Sequence, residues 1–332
     1  MTRLRLGLLG PGGIGARHLE AAAKLPDMFE IAACCGRDPE RTAAFAAVHG
    51  GAAYIDFDRM LDEADLDVLV VATPPGAAAA QVERAAERGI HLLVEKPIAL
   101  DALAAARMVA AADRAGVRAA VGFMYRFGDA VGRWRALAAA GETGPVGLFA
   151  ASYHCNALHA PWWRERARSG GQMLEQVIHL IDLVRVFMGE PDSVYARAAN
   201  LFHRSTPGYD AEDVSAIVFG WDDGRLAVLE ASNAAIPGRW LKDWRVVAER
   251  CTGRFTDWNT ALLTRTAPLV AEESIQGTTD PFAAQLADLA AAIVERRAPA
   301  VPLAEGEASL RLALAARRSA DERRELRIAD AV

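Results

Sequence analysis

Three ionisable side chains recur at helical spacing in an otherwise apolar segment. Glu175 and His179 are four residues apart, and Asp182 follows three residues later, so all three lie on or near one face of a helix predicted for residues 172–188. An imidazole one turn from a carboxylate can move a proton to or from a substrate. We predict that His179 and Glu175 are catalytic. For Asp182 a structural role and a substrate contact both stay open.

A glycine-rich turn, Gly10-Pro11-Gly12-Gly13-Ile14-Gly15, lies between a short apolar strand and an alanine-rich helix. In that setting Gly10 permits the tight turn, Gly12 lets a pyrophosphate approach the backbone, and Gly15 lets the helix lie close to the strand. The helix start offers amide N–H groups and its dipole to phosphates. We predict that this turn, including Gly13 and Ile14, binds a dinucleotide.

The end of the second predicted strand bears on which dinucleotide is bound. NAD sites usually place an acidic residue about 20 positions after the glycines. Here Gly36 and Arg37 occupy that region, and Asp38 is better explained as the N-cap of the next helix. A small residue followed by a planar cation suits a 2′-phosphate, so we favour NADP, with NAD as second choice. The alternative is that Arg37 is a solvated loop residue.

A lysine directly follows the strand predicted for residues 91–95, in the tripeptide Glu95-Lys96-Pro97. An ammonium at this sheet edge can hydrogen-bond a substrate hydroxyl or carbonyl and stabilise negative charge that develops during hydride transfer. Glu95 and Lys96 can also be read as a surface pair. Pro97 is a candidate for a cis peptide bond.

The elements that must position these groups fall into two parts. Residues 1–122 alternate strands and helices, which predicts an α/β doubly wound parallel sheet with ligands at the carboxyl ends of its strands. Residues 123–332 predict an α+β domain with a large, mainly antiparallel sheet, and its C-terminal helices are candidates to pack back on the first domain. Strands are expected over 146–155, 194–200, 214–221, 226–233 and 244–251.

Composition excludes several classes of protein. The net charge of −6 gives no reason to expect nucleic acid or an anionic membrane as partner. No apolar run reaches membrane-spanning length, and the first strand begins close to Met1, so we expect a cytoplasmic protein. The cysteines show no metal-type spacing, nor do His154 and His159 with His179, so we predict no metal.

Together these stretches resemble the Gfo/Idh/MocA oxidoreductases, the family of glucose–fructose oxidoreductase and inositol dehydrogenase. The matching stretches are GLLGPGGIGARH, TPP, VEKPIAL, GFMYRF and GGQMLEQVIHLIDLVRVFMG, and they occur in family order. Two departures are Glu175, where many members have Asp, and Val177, where many have Gly. The resemblance implies a Rossmann domain and a dimer or tetramer built on the second-domain sheet. It also implies that Trp163 and Arg164 contact the cofactor or the substrate, with packing in a loop as the alternative. Further candidates for cofactor contact are Thr73, Pro74, Glu95 and Lys96. Tyr125 and Arg126 follow the last strand of the first domain and are candidates for substrate contact, although Arg126 can equally hold the two domains together.

The expected activity is hydride transfer between NADP and a hydroxyl or carbonyl of a sugar, cyclitol or related polyol. Other enzymatic readings are a trans-dihydrodiol or xylose dehydrogenase-like activity, and a redox-assisted elimination on a glycoside. From another class, the chain can be a non-catalytic dinucleotide-sensing regulator, although the lysine and the histidine argue against that reading.

Overall fold

The computed structural model describes residues 3–156 and 160–331 and divides the chain into two compact units. The first unit comprises the residues up to Met124 together with Asp280–Glu307. The second comprises Tyr125–Thr279 together with the residues from Ala308 onward. Each unit has a sheet of its own.

The first unit is built on a parallel six-stranded sheet in the order β3-β2-β1-β4-β5-β6. Its strands are β1 (Leu4–Leu9), β2 (Phe29–Cys35), β3 (Ala52–Tyr54), β4 (Val68–Val71), β5 (His91–Val94) and β6 (Ala119–Val121). All four side chains of β4 are buried, as expected for a strand covered on both faces. The chain leaves β1 on one side through β2 and β3 and returns to β4 on the other side. This confirms the doubly wound sheet, whose ligands bind at such a switch point.

Polar caps start several helices of this unit. The carboxylates of Asp38, Asp56 and Asp101 each accept a backbone N–H from the first turn that follows, which confirms the cap predicted at Asp38. The helices are α1 (Gly13–Ala23), α2 (Pro39–His49), α3 (Phe57–Glu63), α4 (Ala79–Glu87) and α5 (Ala102–Ala115). Cys34 and Cys35 are buried on β2, and burial raises the pKa of each thiol to about 11.

The second unit is built on a nine-stranded sheet in the order β14-β13-β12-β11-β7-β10-β9-β8-β15. Its strands are β7 (Val146–Asn156), β8 (Ser193–Ala199), β9 (Val214–Gly220), β10 (Leu226–Pro237), β11 (Trp240–Ala248), β12 (Cys251–Phe255), β13 (Thr260–Arg265), β14 (Ala271–Gln276) and β15 (Leu326–Arg327). Only β7 and β10 pair in parallel among the described strands of this sheet, so the predicted, mainly antiparallel sheet is confirmed.

Along the chain, the helices of the second unit come before β7 or between β7 and β8. They are α6 (Asp129–Ala139), α7 (Pro161–Arg164), α8 (Arg166–Ser169) and α9 (Ile178–Met188). The last two helices of the chain are α10 (Pro281–Glu295), in the first unit, and α11 (Leu303–Glu322), which begins in the first unit and ends in the second. Within the described residues no helix is long and apolar enough to cross a membrane.

Several predicted elements of the second unit were wrong in extent. The strand expected over 244–251 is two strands, β11 and β12, and strands β13 and β14 and helix α6 were not predicted. The sequence indicates no helix at Trp162 to Arg164, which form the short helix α7, because Pro161 at its first position suits a helix start. The helix expected over 172–188 begins with a π-helical turn, Met173–Val177, before α9.

Candidate functional site

The glycine-rich turn connects β1 to α1. Some of its glycines are required because a side chain would clash, whereas others have open space around them. Gly10 has φ +102°, and a Cβ there would lie 2.6 Å from the Ala72 carbonyl oxygen. A Cβ on Gly15 would lie 2.5 Å from the Gly10 carbonyl oxygen. By contrast, a Cβ on Gly12 or Gly13 would meet nothing within 4 Å. Gly10 and Gly15 therefore serve the fold of the turn, whereas Gly12 and Gly13 leave open space above the backbone.

That open space lies at the start of a helix whose first amides are available. Gly12 is the N-cap of α1 and has no side chain to accept a hydrogen bond from the first turn. The Ile14 side chain is 47% exposed. Uncapped N–H groups at a helix start bind phosphate oxygens well, because the helix dipole adds to their hydrogen bonds. The turn therefore fits the pyrophosphate of a dinucleotide.

These two classes of glycine lead to a paired prediction. Gly12→Ala is expected to leave the thermal midpoint almost unchanged, because φ −121° suits alanine and the added methyl meets no atom. The same variant is expected to weaken dinucleotide binding on the order of 10-fold, since the methyl occupies the space a pyrophosphate needs. Gly15→Ala is expected to cost about 1–3 kcal/mol of stability through overpacking. Thermal melts measure the effect on stability, and dinucleotide titration measures the effect on binding. Equal effects of the two variants in both measurements would contradict the distinction between Gly12 and Gly15.

The end of β2 presents one exposed cation. The Arg37 side chain is exposed, and among the described residues nothing forms an ion pair with it. The Asp38 carboxylate is occupied by the Arg41 N–H at 2.9 Å. Gly36 is buried, and a Cβ there would collide with Thr42 and Pro11, so its missing side chain serves packing. The sequence indicated that Gly36 leaves space for a 2′-phosphate. In the structure, the space beside Gly36 is filled by Thr42 and Pro11.

The turn after β4 carries a buried hydroxyl. The Thr73 Oγ1 atom is shielded from solvent and has no hydrogen-bond partner within residues 3–156 and 160–331. Pro74 precedes a single 3-10 turn, Pro75–Ala77. A buried hydroxyl without a partner costs free energy. Thr73 is therefore well suited to hydrogen-bond a ligand at this edge of the sheet.

Lys96 lies in the turn after β5, and contacts of the neighbouring Glu95 fix the backbone of this turn. The Glu95 Oε1 atom lies 2.7 Å from His18 Nε2, and Glu95 Oε2 accepts the Lys96 N–H at 3.1 Å. The Lys96–Pro97 peptide bond, for which the sequence made Pro97 a candidate, is cis. A Cβ on Gly122 would come within 3.0 Å of the Glu95 carboxylate, so the glycine makes room for it. Glu95 thus shapes the turn that presents the half-buried Lys96.

Sequence reasoning missed His18. Its side chain is fully buried on α1, and its ring packs edge-on against Phe282 at 5.2 Å between centroids. The contact with Glu95 spans 77 positions of sequence, and no local pattern reports it. The available signal was a histidine one turn after Gly15, on the helix face that turns towards the sheet.

In the second unit, Glu175 lies on the π-helical turn before α9. The Trp163 Nε1–H donates to Glu175 Oε2 at 2.7 Å, and Trp163 is 2% exposed. The Met173 N–H, at the start of this turn, donates to the buried Glu212 carboxylate at 2.9 Å. Burial raises the pKa of that Glu212 carboxyl. The hydrogen bond from Trp163 thus holds the Glu175 carboxylate in place. The carbonyl oxygen of the neighbouring Arg164 accepts two backbone N–H groups, each at 3.1 Å.

His179 lies on the first turn of α9 and is 8% exposed. The Tyr125 ring stacks on the imidazole with centroids 4.4 Å apart and an interplanar angle of 10°. Burial, and secondarily the charge of Glu175, raise the pKa of Tyr125 well above its usual value. The structure therefore brings Glu175, His179 and Tyr125 together in one unit, and the Tyr125 phenol stays protonated at neutral pH.

Asp182 and Arg126, both candidates for substrate contact, bind each other. The Arg126 Nε and Nη2 atoms donate to the two Asp182 oxygens at 2.8 and 2.5 Å. Ser309 Oγ donates to Asp182 Oδ1 at 3.0 Å, and Asp182 is 1% exposed. This arrangement favours the structural role for Asp182 and makes it a positioning group for Arg126.

The described residues contain no group of three histidine, cysteine, aspartate or glutamate side chains arranged to hold a metal ion. His154 is 28% exposed and lies 3.9 Å from Glu230. His159, considered with it in the sequence, lies outside the described residues.

A doubly wound sheet with this glycine turn at its switch point defines a dinucleotide-binding protein. Residues 4–123 match the family model of the oxidoreductase family with an NAD-binding Rossmann fold, and residues 131–253 match the GFO/IDH/MocA C-terminal domain. The chain belongs to the Gfo/Idh/MocA oxidoreductase family, which confirms the resemblance.

Individual relatives support the same assignment. The chain is 29% identical to inositol 2-dehydrogenase of Rhizobium meliloti (strain 1021), over 98% of this chain and 99% of that protein. It is 29% identical to D-xylose 1-dehydrogenase (NADP(+)) 2 of Haloferax volcanii, over 69% of each. Levoglucosan dehydrogenase in complex with NADH and levoglucosan matches with a TM-score of 0.92 at 20% identity, over 98% of this chain and 100% of that one. At that identity the match establishes the shared fold.

Proposed function

We propose that the protein is an NAD(P)-dependent dehydrogenase that acts on a hydroxyl or carbonyl group of a sugar, cyclitol or related polyol. The observation that carries this proposal is the contact of the Tyr125 ring with His179 on α9, with Glu175 on the preceding π-helical turn, in a chain with a dinucleotide-binding sheet. The relatives named for inositol and xylose dehydrogenation support the substrate class.

The roles of the side chains follow from their chemistry. When bound, the nicotinamide cofactor supplies or accepts the hydride. In the oxidation direction His179 takes the proton of the substrate hydroxyl, and in the reduction direction it returns that proton. Lys96 donates a hydrogen bond to the same oxygen and stabilises negative charge on it. Glu175, held by Trp163, sets the tautomer of His179 or binds a further substrate hydroxyl.

The experiment for this proposal is a turnover screen. Sugars, cyclitols and polyols are incubated with the purified protein and NADP or NAD, and reduced cofactor is followed by absorbance. We expect at least one substrate to be oxidised. Failure with every compound and both cofactors, while a dinucleotide still binds, would overturn the dehydrogenase proposal.

We further propose NADP as the preferred cofactor. The acidic residue nearest the end of β2, Asp38, already caps α2, and Arg37 is exposed beside it. A guanidinium pairs well with a 2′-phosphate, because it forms two parallel charged hydrogen bonds.

Arg37→Ala tests that choice. The variant is expected to raise KM for NADP by about 10- to 100-fold, the loss of one charged hydrogen-bonded pair, and to leave KM for NAD nearly unchanged. Arg41→Ala, four residues later on α2, is the matched control. A wild type that prefers NAD, or equal effects on both cofactors, would contradict the proposal.

Subunit association through the nine-stranded sheet is a further proposal, for a cytoplasmic homodimer or homotetramer. Its support is the apolar side chains that this sheet exposes, among them Tyr195 (38%), Leu226 (46%) and Val228 (38%). Light scattering on the purified protein tests it, and a monomer at micromolar concentration would contradict it.

A further inference from the structure

Lys242, on β11, lies in a cage of aromatic rings. Its Nζ atom is 5.4 Å from the ring centroid of Tyr153 and 5.6 Å from those of Tyr125, Trp240 and Trp258. Each distance is within the range of an attractive cation–π contact. The rings therefore stabilise an ammonium at a half-buried position.

This cage is continuous with the proposed acid–base group. The same Tyr125 ring that faces Lys242 stacks on His179 at 4.4 Å and on Trp258 at 4.8 Å. Burial raises the pKa of both Tyr125 and Tyr153, with the charge of Glu175 a smaller cause. One tyrosine thus connects the imidazole to the lysine cage.

A buried hydroxyl at the junction calls for a hydrogen-bond partner. Tyr125 is 1% exposed, and across the described parts of the chain its hydroxyl oxygen has no partner within hydrogen-bond distance. Leaving a buried hydroxyl unsatisfied is costly, so such groups usually meet a ligand or an ordered water. The phenol therefore supplies a donor beside His179.

The outer rings of the cage are accessible. Trp240 is 48% exposed and Trp258 is partly exposed. Large rigid ring faces with a few polar groups between them are the usual lining of small-molecule sites. The apolar C–H face of a sugar ring fits such a surface.

The cation in the cage is a lysine, which is rare in this chain. Lys24, Lys96 and Lys242 are the only lysines in a sequence with 37 lysine and arginine residues, so arginine is its ordinary cation. An ammonium is a compact charge with three donors, which suits a single carboxylate or a group of oxygens. A half-buried positive charge gains most from a ligand of opposite charge, because solvent screens the pair less there.

We propose that Lys242, with Tyr125, Trp240 and Trp258, selects a sugar or cyclitol that carries a carboxylate. The inference rests on the proposed function and deepens it, because it names sugar acids as the substrate class. The aromatic faces hold the ring, the Tyr125 hydroxyl binds one of its oxygens, and the ammonium pairs with the carboxylate.

The test is a comparison of matched ligands by isothermal titration calorimetry on the full-length protein. D-glucuronate, D-galacturonate and D-gluconate are each compared with D-glucose, D-galactose and D-glucitol at constant ionic strength. We expect at least one acid to bind more tightly than its neutral counterpart. Lys242→Met is expected to reduce that preference by about 10- to 100-fold, the effect of losing one charged hydrogen bond, while neutral ligands change little.

Two further variants serve as controls for this test. Lys242→Arg is expected to retain part of the preference for the acid, and Lys24→Met, at an exposed lysine, is expected to retain all of it. Thermal melts check that Lys242→Met is folded, and Lys242→Gln replaces it if it is not. A wild type without preference for any acid, or a preference that survives removal of the Lys242 charge, would overturn the proposal. Because binding does not require hydride transfer, these results are independent of the turnover screen.

Discussion

Replacing Lys96 or His179 with alanine is expected to lower kcat by ~10²–10⁴, with a smaller change in KM. General acid–base catalysis and charge stabilisation at one oxygen each contribute on this scale, because both act mainly in the transition state. In the proposed mechanism Lys96 and His179 act on the same substrate oxygen, so the double variant is expected to lose less than the product of the single effects. Steady-state kinetics on the substrate found in the turnover screen measures all three.

The control for the lysine is Lys24→Ala, because Lys24 is 58% exposed and pairs with Asp280 at 2.5 Å. It is expected to keep wild-type kcat. Lys96→Arg keeps the charge but not the compact ammonium, and we expect it to rescue kcat only in part. Near wild-type kcat in both Lys96→Ala and His179→Ala would refute their assignment and leave a dinucleotide-binding chain without assigned chemistry.

The second large effect concerns stability. Arg126→Ala is expected to reduce the free energy of unfolding by about 3–5 kcal/mol, because it leaves the carboxylate of Asp182 buried without its main partner. The side chains are 10% and 1% exposed, so water cannot replace the guanidinium. The Ser309 hydrogen bond and Arg185, 3.9 Å away, compensate in part, which places the expected loss towards the lower end. Urea denaturation followed by tryptophan fluorescence measures it.

The chain offers a matched control with the same chemistry at the surface. Arg327 binds both oxygens of Asp222 at 2.7 and 2.9 Å, but the two side chains are 52% and 69% exposed. Arg327→Ala is expected to change stability little, since exposed ion pairs contribute little. The apolar pair Arg126→Met with Asp182→Leu is expected to recover much of the lost stability. A small effect of Arg126→Ala would show that the carboxylate finds another partner.

Features that depend on neighbouring residues were predictable from the sequence. The turn between β1 and α1 and the Asp38 cap each leave a local pattern, and the structure has both where the sequence indicates them. The strands expected over 214–221 and 226–233 are the antiparallel pair β9 and β10. Asp222-Asp223-Gly224 separates the two apolar runs, and Gly224 has φ +92°.

Features that depend on distant contacts were not predictable. The π-helical turn at Met173–Val177 starts where the Glu212 carboxylate binds the Met173 N–H, 39 positions away in sequence. The prediction that Glu175 and His179 share one face assumes a regular α-helix, and a π-helical turn at Met173–Val177 changes their relative orientation. Strand β14 alternates half-buried with exposed residues and contains two glutamates, so its sequence lacks the apolar signal of a strand.

The contact between His18 and Glu95 links two turns of the first unit. One imidazole joins the helix that begins at the glycine turn to the residue before Lys96. These contacts connect the glycine turn, where we propose that the dinucleotide binds, to the turn that carries Lys96. Because they fix the backbone of Lys96, these contacts reduce the reorganisation that its proposed role requires in the chemical step.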